Sequence, residues 1–198
     1  VIVSGVIVSG VAISGVVIAA LGLRTWRKQL RGNTEYDLAR RVLKEVYHTR
    51  DQIRNVRDPF MWGGEIDNAM KEKGYKNDPF DSKYHVNSTR AVYSARMDKV
   101  YEALSNLRLE LLEAEVIWGK EVNKIFKSFH DCIGELNYAL YQHIRSFEGI
   151  LNLDAEEYKK KEYTIYNTSD DPDKNEFSGK ILNAVEIIEN FIKPKFII

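Results

Sequence analysis

The chain is poor in the residues that crosslink or interrupt a fold. Its 198 residues include one cysteine and four prolines. A single cysteine cannot form an internal disulfide, which excludes the small disulfide-stapled secreted scaffolds. Four prolines and twelve glycines also exclude collagen-like and proline-rich disordered chains. What remains is an ordinary folded chain of one domain, or of one domain with an appendage.

The chain also lacks an excess of either charge. Lys and Arg number 29, and Asp and Glu number 29, so the formal net charge is zero. This balance argues against a protein that binds nucleic acid through basic charge along its whole surface. No P-loop, GxGxxG fingerprint, nucleophile elbow or CxxC pair is present. We therefore expect neither a cofactor nor a nucleic-acid partner.

Charge is absent altogether from the first 23 residues. A helix of that length extends roughly 34 Å, enough for a hydrocarbon core of about 30 Å. Its serines can hydrogen-bond to carbonyls of their own helix. The cations follow the apolar stretch, whereas those of a cleaved signal peptide precede it. The sequence therefore predicts a transmembrane helix over residues 1–23.

A basic juxtamembrane segment, residues 24–33, follows the predicted span. Its tryptophan suits the headgroup region, and its cations suit anionic lipid headgroups of the cytoplasmic leaflet. The positive-inside rule places the N-terminus outside and the remainder of the chain in the cytoplasm. The predicted membrane-interface residues are Arg24, Trp26, Arg27, Lys28 and Arg31.

Small residues line one face of the predicted span. At roughly 100° per residue, six of them fall within about 100° of arc. Such a face lets a second helix approach closely and predicts self-association, although small residues are also simply common in membrane helices. The face consists of Ser4, Gly5, Ala12, Gly15, Ala19 and Gly22.

Helical periodicity dominates the rest of the chain, residues 34–198. Tyr93 to Trp118 carries apolar residues in steps of four and three through three heptads. A break at Trp118-Gly119 favours an antiparallel hairpin over one long rod, and self-association through the heptads is a further expectation. We predict an all-α fold, a cytoplasmic antiparallel four-helix bundle with helices at about 34–57, 88–117, 120–152 and 176–193, and a short helix near 65–73.

Basic charge is concentrated near the predicted membrane. Residues 24–57 contain ten Lys and Arg against four Asp and Glu, whereas the chain from residue 58 onward contains 19 against 25. Attraction to anionic lipid is one interpretation of this asymmetry. The favoured alternative, for the later cations, is a solvated helix face that pairs with acidic helices. These later cations are Arg40, Arg41, Lys44, Arg50, Arg54 and Arg57.

Two weak patterns suggest chemistry on the first bundle helix. Glu45 and His48 have the Glu-x-x-His spacing of di-iron bundles, but a second such pair is missing, so we predict no metal site. Arg41 and His48 resemble the arginine and histidine of the nuclease members of the HEPN superfamily, which are helical bundles. This resemblance implies Arg41 as a phosphate contact and His48 as a general acid or base.

Residues 25–61 resemble a group of uncharacterised bacterial single-pass membrane-anchored helical proteins. The resemblance rests on the stretch TWRKQLRGNTEYDLARRVLKEVYHTRDQIRNVRDPFM. It implies a location in the inner membrane and implies no activity.

The favoured function is that of a non-enzymatic, membrane-anchored module for interaction, scaffolding or sensing. Its expected partners are the lipid bilayer, a second copy of the chain and an unidentified protein. The alternatives are a membrane-tethered ribonuclease and an accessory subunit of a larger inner-membrane complex.

Overall fold

The computed structural model describes residues 2–151, 154–169 and 174–196, and it describes side chains within these ranges from residue 22 onward. In this part of the chain the fold is all-α, as predicted, and it has six α-helices. One continuous helix, Ile2–Val56, covers the described part of the predicted span and the predicted first bundle helix, and the helix Ala155–Ile165 was not predicted. The six helices are α1 (Ile2–Val56), α2 (Gly63–Glu72), α3 (Tyr84–Trp118), α4 (Glu121–Phe147), α5 (Ala155–Ile165) and α6 (Glu176–Ile192), followed by a short 3-10 helix, Lys193–Phe196.

Helix α1 runs through residues 32–34, so the predicted helix start at Thr34 is wrong. The Thr34 hydroxyl donates to the carbonyl of Leu30 at 3.0 Å, and Arg31 pairs with Glu35 at 2.9 Å. Both interactions span one helical turn and satisfy polar groups within the helix. The stretch Gly32-Asn33-Thr34, whose residue types are typical of helix caps, is therefore equally compatible with a helix interior.

Among the described residues, no helix is both long enough and apolar enough to cross a membrane. The predicted span, residues 1–23, falls almost wholly on residues 1–21, whose side chains lie outside the described set.

The predicted hairpin of α3 and α4 is confirmed. Gly119 joins the two helices with a φ of 86°, a left-handed conformation that favours glycine. Tyr93, early in α3, packs edge to face against His143, late in α4, and Glu115 accepts a hydrogen bond from Asn123 beside the turn. The two helices are therefore antiparallel.

The heptad residues of α3 face the core of this chain. Seven of them are buried: Tyr93, Met97, Val100, Leu104, Leu107, Leu111 and Ala114. Because they pack against the other helices of the same chain, they are covered and unavailable to a second copy. The heptad residues thus have an intramolecular packing role, and self-association of the chain stays a prediction.

One core lies among α1, α3, α4 and α6. Helix α1 contacts α3 and α6, and α4 contacts the same two helices, so the four helices surround a common interior. Its largest buried side chains include Phe126 and Phe129 of α4 and Leu38 of α1. Helix α2 packs on α3 around a separate small cluster containing Met70 and Val92.

Helix α5 was not predicted, because its charged sequence shows no clear apolar stripe. It begins after Asp154, whose carboxylate accepts from the backbone N–H groups of Glu156 and Glu157 at 3.0 and 2.8 Å. Near its other end, Ile165 is fully buried. Helix α4 ends at Phe147, short of the predicted 152, and Gly149 turns the chain with a φ of 69°.

Arg57, directly after α1, is buried and not on a solvated face as predicted. Its guanidinium stacks over the ring of Phe177, with 4.9 Å from Cζ to the ring centroid. Within the described ranges, five oxygens accept hydrogen bonds from it at 2.9–3.2 Å: the carbonyls of Tyr163, Thr164 and Tyr166, Ser178 Oγ and Asn175 Oδ1. Arg57 therefore joins the end of α1 to the end of α5 and the start of α6.

Replacing Arg57 by methionine should strongly destabilise the bundle. The variant leaves several buried acceptors without a donor, and we expect the free energy of unfolding to fall by about 3 kcal/mol. Urea unfolding of the full chain, followed by circular dichroism, measures this difference. The matched control Arg40→Met removes an exposed arginine of the same helix. Equal stabilities of the two variants would contradict the role given to Arg57.

Candidate functional site

Arg41 lies on α1 and is held by two carboxylates of α3. Its Nε donates to Glu110 at 2.8 Å, and a terminal nitrogen donates to Glu113. The hydrogen bonds from Glu110 and then Glu113 raise the pKa of Arg41 above its ordinary value. This agrees with the sequence interpretation that cations of this helix pair with acidic residues of the bundle.

His48 lies on the same helix, seven residues after Arg41, and is exposed. The guanidinium of Arg41 is not free to act with His48, because it is bound by Glu110 and Glu113. A phosphate at Arg41 would have to displace both carboxylates. Among the described residues, no group of three or more His, Cys, Asp or Glu side chains has an arrangement suited to a metal ion. The geometry therefore gives the ribonuclease hypothesis no support beyond the spacing, and it stays a prediction.

The predicted membrane-interface residues lie on the part of α1 that precedes its buried residues. Every residue from 22 to 30 is exposed, and from residue 22 onward the first buried side chain of the helix is Leu38. Leu23, Trp26 and Leu30 are 51%, 59% and 50% exposed, and their spacing places them on one face. The apolar side chains thus form one face, and the basic side chains an adjacent face, of a helix segment that other described elements leave uncovered.

The small-residue face predicted for self-association lies largely beyond what the structure describes. Side chains at Ser4, Gly5, Ala12, Gly15 and Ala19 are outside the described set. Gly22 is exposed, and a Cβ added to it would meet nothing within 4 Å. Self-association through this face stays a prediction.

Cys132 is buried on α4, as the sequence suggested. Burial raises the pKa of its thiol to about 11. A thiol with this pKa is almost wholly protonated near neutral pH, and the thiolate is the nucleophilic form. Cys132 is therefore a packing residue.

An aromatic cluster surrounds His143 and was missed by sequence reasoning. His143 is 2% exposed, and its ring centroid lies 4.5 Å from that of Phe147. Its Nε2 is 3.2 Å from the hydroxyl of Tyr166, and Tyr158 of α5 packs against the ring. Burial lowers the pKa of His143 and raises that of neighbouring Tyr93. The cluster attaches α5 and the segment after it to α4.

Two hollows of the described surface share Trp62 in their lining. The larger, with a volume of about 660 Å³, lies between α2 and α3. The smaller, of about 170 Å³, lies between Trp62 and the end of α1, next to Gln52, Asn55 and Asp58. The larger volume falls within the range of about 300–1,000 Å³ typical of ligand pockets.

Arg96 of α3 builds the region around Trp62. It is 8% exposed, and two of its nitrogens donate to the two carboxylate oxygens of Glu65, each at 2.7 Å. It also donates to the carbonyls of Asp58 and Phe60 at 2.6 and 2.7 Å. The irregular backbone after α1 is thereby fixed to α3 and to the first turn of α2.

Trp62 is displayed outward by this arrangement. The preceding residue, Met61, packs against both hydrophobic clusters, whereas Trp62 is 68% exposed. One feature of the sequence could have indicated this display: two large aromatic residues, Phe60 and Trp62, lie in a loop after Asp-Pro. Their exposure depends on Arg96, which is remote in sequence.

Carboxylates outnumber cations around Trp62. Five acidic side chains line the two hollows, and the lining cations are Arg96 and Lys99. Lys73, at the edge, pairs with Asp98 and lies 3.7 Å from Glu72. The five acidic residues are Asp58, Glu65, Glu72, Asp98 and Glu102. With Lys73 counted, the region keeps a formal excess of two negative charges.

Comparisons with protein families, with curated proteins and with solved structures find no match to this chain.

The free energy of unfolding of the bundle should decrease as the pH is lowered, because of His143. Its pKa is lowered in the folded state, so below the unfolded-state value of about 6.5 the unfolded chain binds a proton that the folded chain does not. The stability that the uncharged, buried His143 contributes is complete above about pH 6.5 and is lost as the pH falls toward the folded-state pKa of this residue. The variant His143→Phe should weaken this dependence, measured as unfolding free energies between pH 5 and 8.

The control for this experiment is His48→Gln, which removes an exposed histidine. Burial also lowers the pKa of His130, so a part of the pH dependence with the same sign should survive in both variants. An unchanged pH dependence in His143→Phe, with the wild-type fold retained, would contradict the assignment.

Proposed function

We propose that this protein is a membrane-anchored helical interaction module, without catalytic activity of its own, which presents the hollows around Trp62 to a partner. Residues 1–23 are its single span in the inner membrane, the N-terminus is outside, and the bundle is cytoplasmic. The observation that carries the proposal is the continuity of α1, whose C-terminal part belongs to the bundle core and whose first part contains the uncharged segment.

The sequence and exposure around Trp26 support the anchor. The uncharged segment ends at Leu23, and Arg24, Arg27 and Lys28 follow on an exposed helix surface. A tryptophan beside cations is typical of a cytoplasmic membrane interface, where the cations are attracted to anionic headgroups. Self-association of the span through its small residues belongs to the same proposal.

The length of α1 supports presentation away from the bilayer. From Leu23 to Val56 the helix rises by about 50 Å at 1.5 Å per residue. The hollows adjoin the C-terminal end of this helix through Gln52, Asn55 and Asp58. A site at this height favours a soluble partner over a neighbouring subunit that lies wholly within the membrane.

Charges placed within the span should release the protein from the membrane. The double variant Val8→Asp, Ile13→Asp introduces two carboxylates, each costing about 3 kcal/mol near the centre of a membrane helix. We expect the wild type and the matched control Val8→Leu, Ile13→Leu to stay in the membrane pellet after carbonate washing. The charged variant should appear in the soluble fraction.

Orientation has its own measurement. A reporter that is active only in the cytoplasm, fused after Ile198, should be active in the wild type. A wild-type chain that carbonate releases would overturn the anchor, and a fusion that is active only outside the inner membrane would overturn the orientation.

A further inference from the structure

The indole of Trp62 forms a wall shared by two hollows. It lines both the larger hollow beside α2 and the smaller one beside α1, while 68% of the residue stays exposed. The floor of the larger hollow includes Ala69 and Ala95, which are small and apolar. An aromatic surface above a shallow apolar floor provides contact for a planar or extended group.

The carboxylates of this region differ in how fully they are paired. Both oxygens of Glu65 accept hydrogen bonds from Arg96, and Asp98 pairs with Lys73. Glu102 makes no ion pair within the part of the chain that the structure describes and lines the larger hollow. Lys99, which lines both hollows, makes no ion pair there either. The negative charge open to a ligand is therefore the formal excess of two that the region keeps with its three cations counted, and Trp62 lines the same hollows.

An aromatic face flanked by carboxylates is complementary to a cation. A guanidinium stacks on an indole through its planar face, and its N–H groups donate to carboxylates at its edge. An anionic ligand would meet an excess of negative charge and an aromatic face of the same electrostatic sign. Charge complementarity therefore selects the class of occupant.

We propose that the hollows around Trp62 bind an arginine side chain from a basic segment of a protein partner, with the guanidinium stacked on Trp62 and Glu102 supplying its counter-charge. The volumes of 660 and 170 Å³ on the two sides of the ring leave room for residues that flank the arginine. This inference rests on the proposed function for the role of the complex, but the binding itself does not require the membrane.

The binding experiment uses the full chain in detergent micelles and a fluorescently labelled peptide, acetyl-Gly-Arg-Gly-Arg-Gly-amide. Fluorescence polarisation measures its dissociation constant. The matched peptide carries citrulline in place of arginine, which has nearly the same shape and no charge. We expect saturable binding of the arginine peptide, at least about tenfold weaker binding of the citrulline peptide, and weaker binding at high salt.

Matched variants locate the site. Trp62→Leu removes the stacking surface and should weaken binding at least about fivefold, whereas Trp26→Leu, which removes an exposed tryptophan far from the hollows, should leave it unchanged. Glu102→Gln should weaken binding about two- to threefold. Glu121→Gln, at an exposed carboxylate on α4, is its control. All four positions are exposed, and circular dichroism verifies that each variant retains the fold.

Each outcome decides the inference. Absence of saturable binding, equal affinity for the citrulline peptide, or equal effects of Trp62→Leu and Trp26→Leu would overturn it. If free arginine binds as tightly as the peptide, the ligand is a small cation and not a segment of a protein partner. That result would also overturn the inference. A chain that stays in the membrane but ignores the peptide refutes this inference alone. A chain that binds the peptide but is washed from membranes refutes the anchor alone.

Discussion

The bundle depends on the buried guanidinium of Arg57. The end of α1, the end of α5 and the start of α6 meet there, and the last two leave backbone or side-chain acceptors in buried or half-buried positions. One planar donor with a fixed fork satisfies them together. The attachment is reciprocal, since the backbone N–H of Asn167 donates to the carbonyl of Arg57 at 2.8 Å. An apolar side chain of similar length would fill the volume but would leave these acceptors unpaired, and unpaired buried acceptors cost more than the filled volume gains.

Arg96 performs the corresponding task on the other side of the same chain end. The segment after α1 has no regular hydrogen bonding of its own over residues 58–62, and two of its carbonyls accept from Arg96. Arg57 and Arg96 therefore convert an irregular connection into a fixed one. The position of Trp62 follows from this rigidity, because Met61 is held in the core and the next side chain must point away from it. The candidate site is thus a consequence of buried polar contacts and not of an apolar stripe.

The difference between apolar stripes and buried polar contacts explains how much of the molecule could be predicted from its sequence. Apolar periodicity is local information, and it correctly gave the hairpin of α3 and α4 and the position of α6. Local signals failed at Thr34, because a hydroxyl can cap a helix or bond within one. They also failed at α5, because this helix packs on α4 and α6 without a clear apolar stripe in its own sequence. Arg57 looked like a solvent-facing cation, and Arg41 was expected either to contact phosphate or to pair with an acidic helix. Thr164 lies 107 residues from Arg57 along the chain, and Glu110 lies 69 residues from Arg41, so no local pattern contains these partners.

The dual role of α1 constrains how the proposed module works. The same helix contributes Leu38, Val42 and Val46 to the core and carries the exposed segment around Trp26. A displacement of that segment along the helix axis would have to slide these side chains against α3, where close packing resists it. The hollows are fixed close to the end of the same helix, because Arg96 donates to the carbonyl of Asp58, two residues after α1. The exposed segment around Trp26, the core and the hollows therefore move as one body, which suits display of a binding surface at a set distance and disfavours a signal that depends on loosening the bundle.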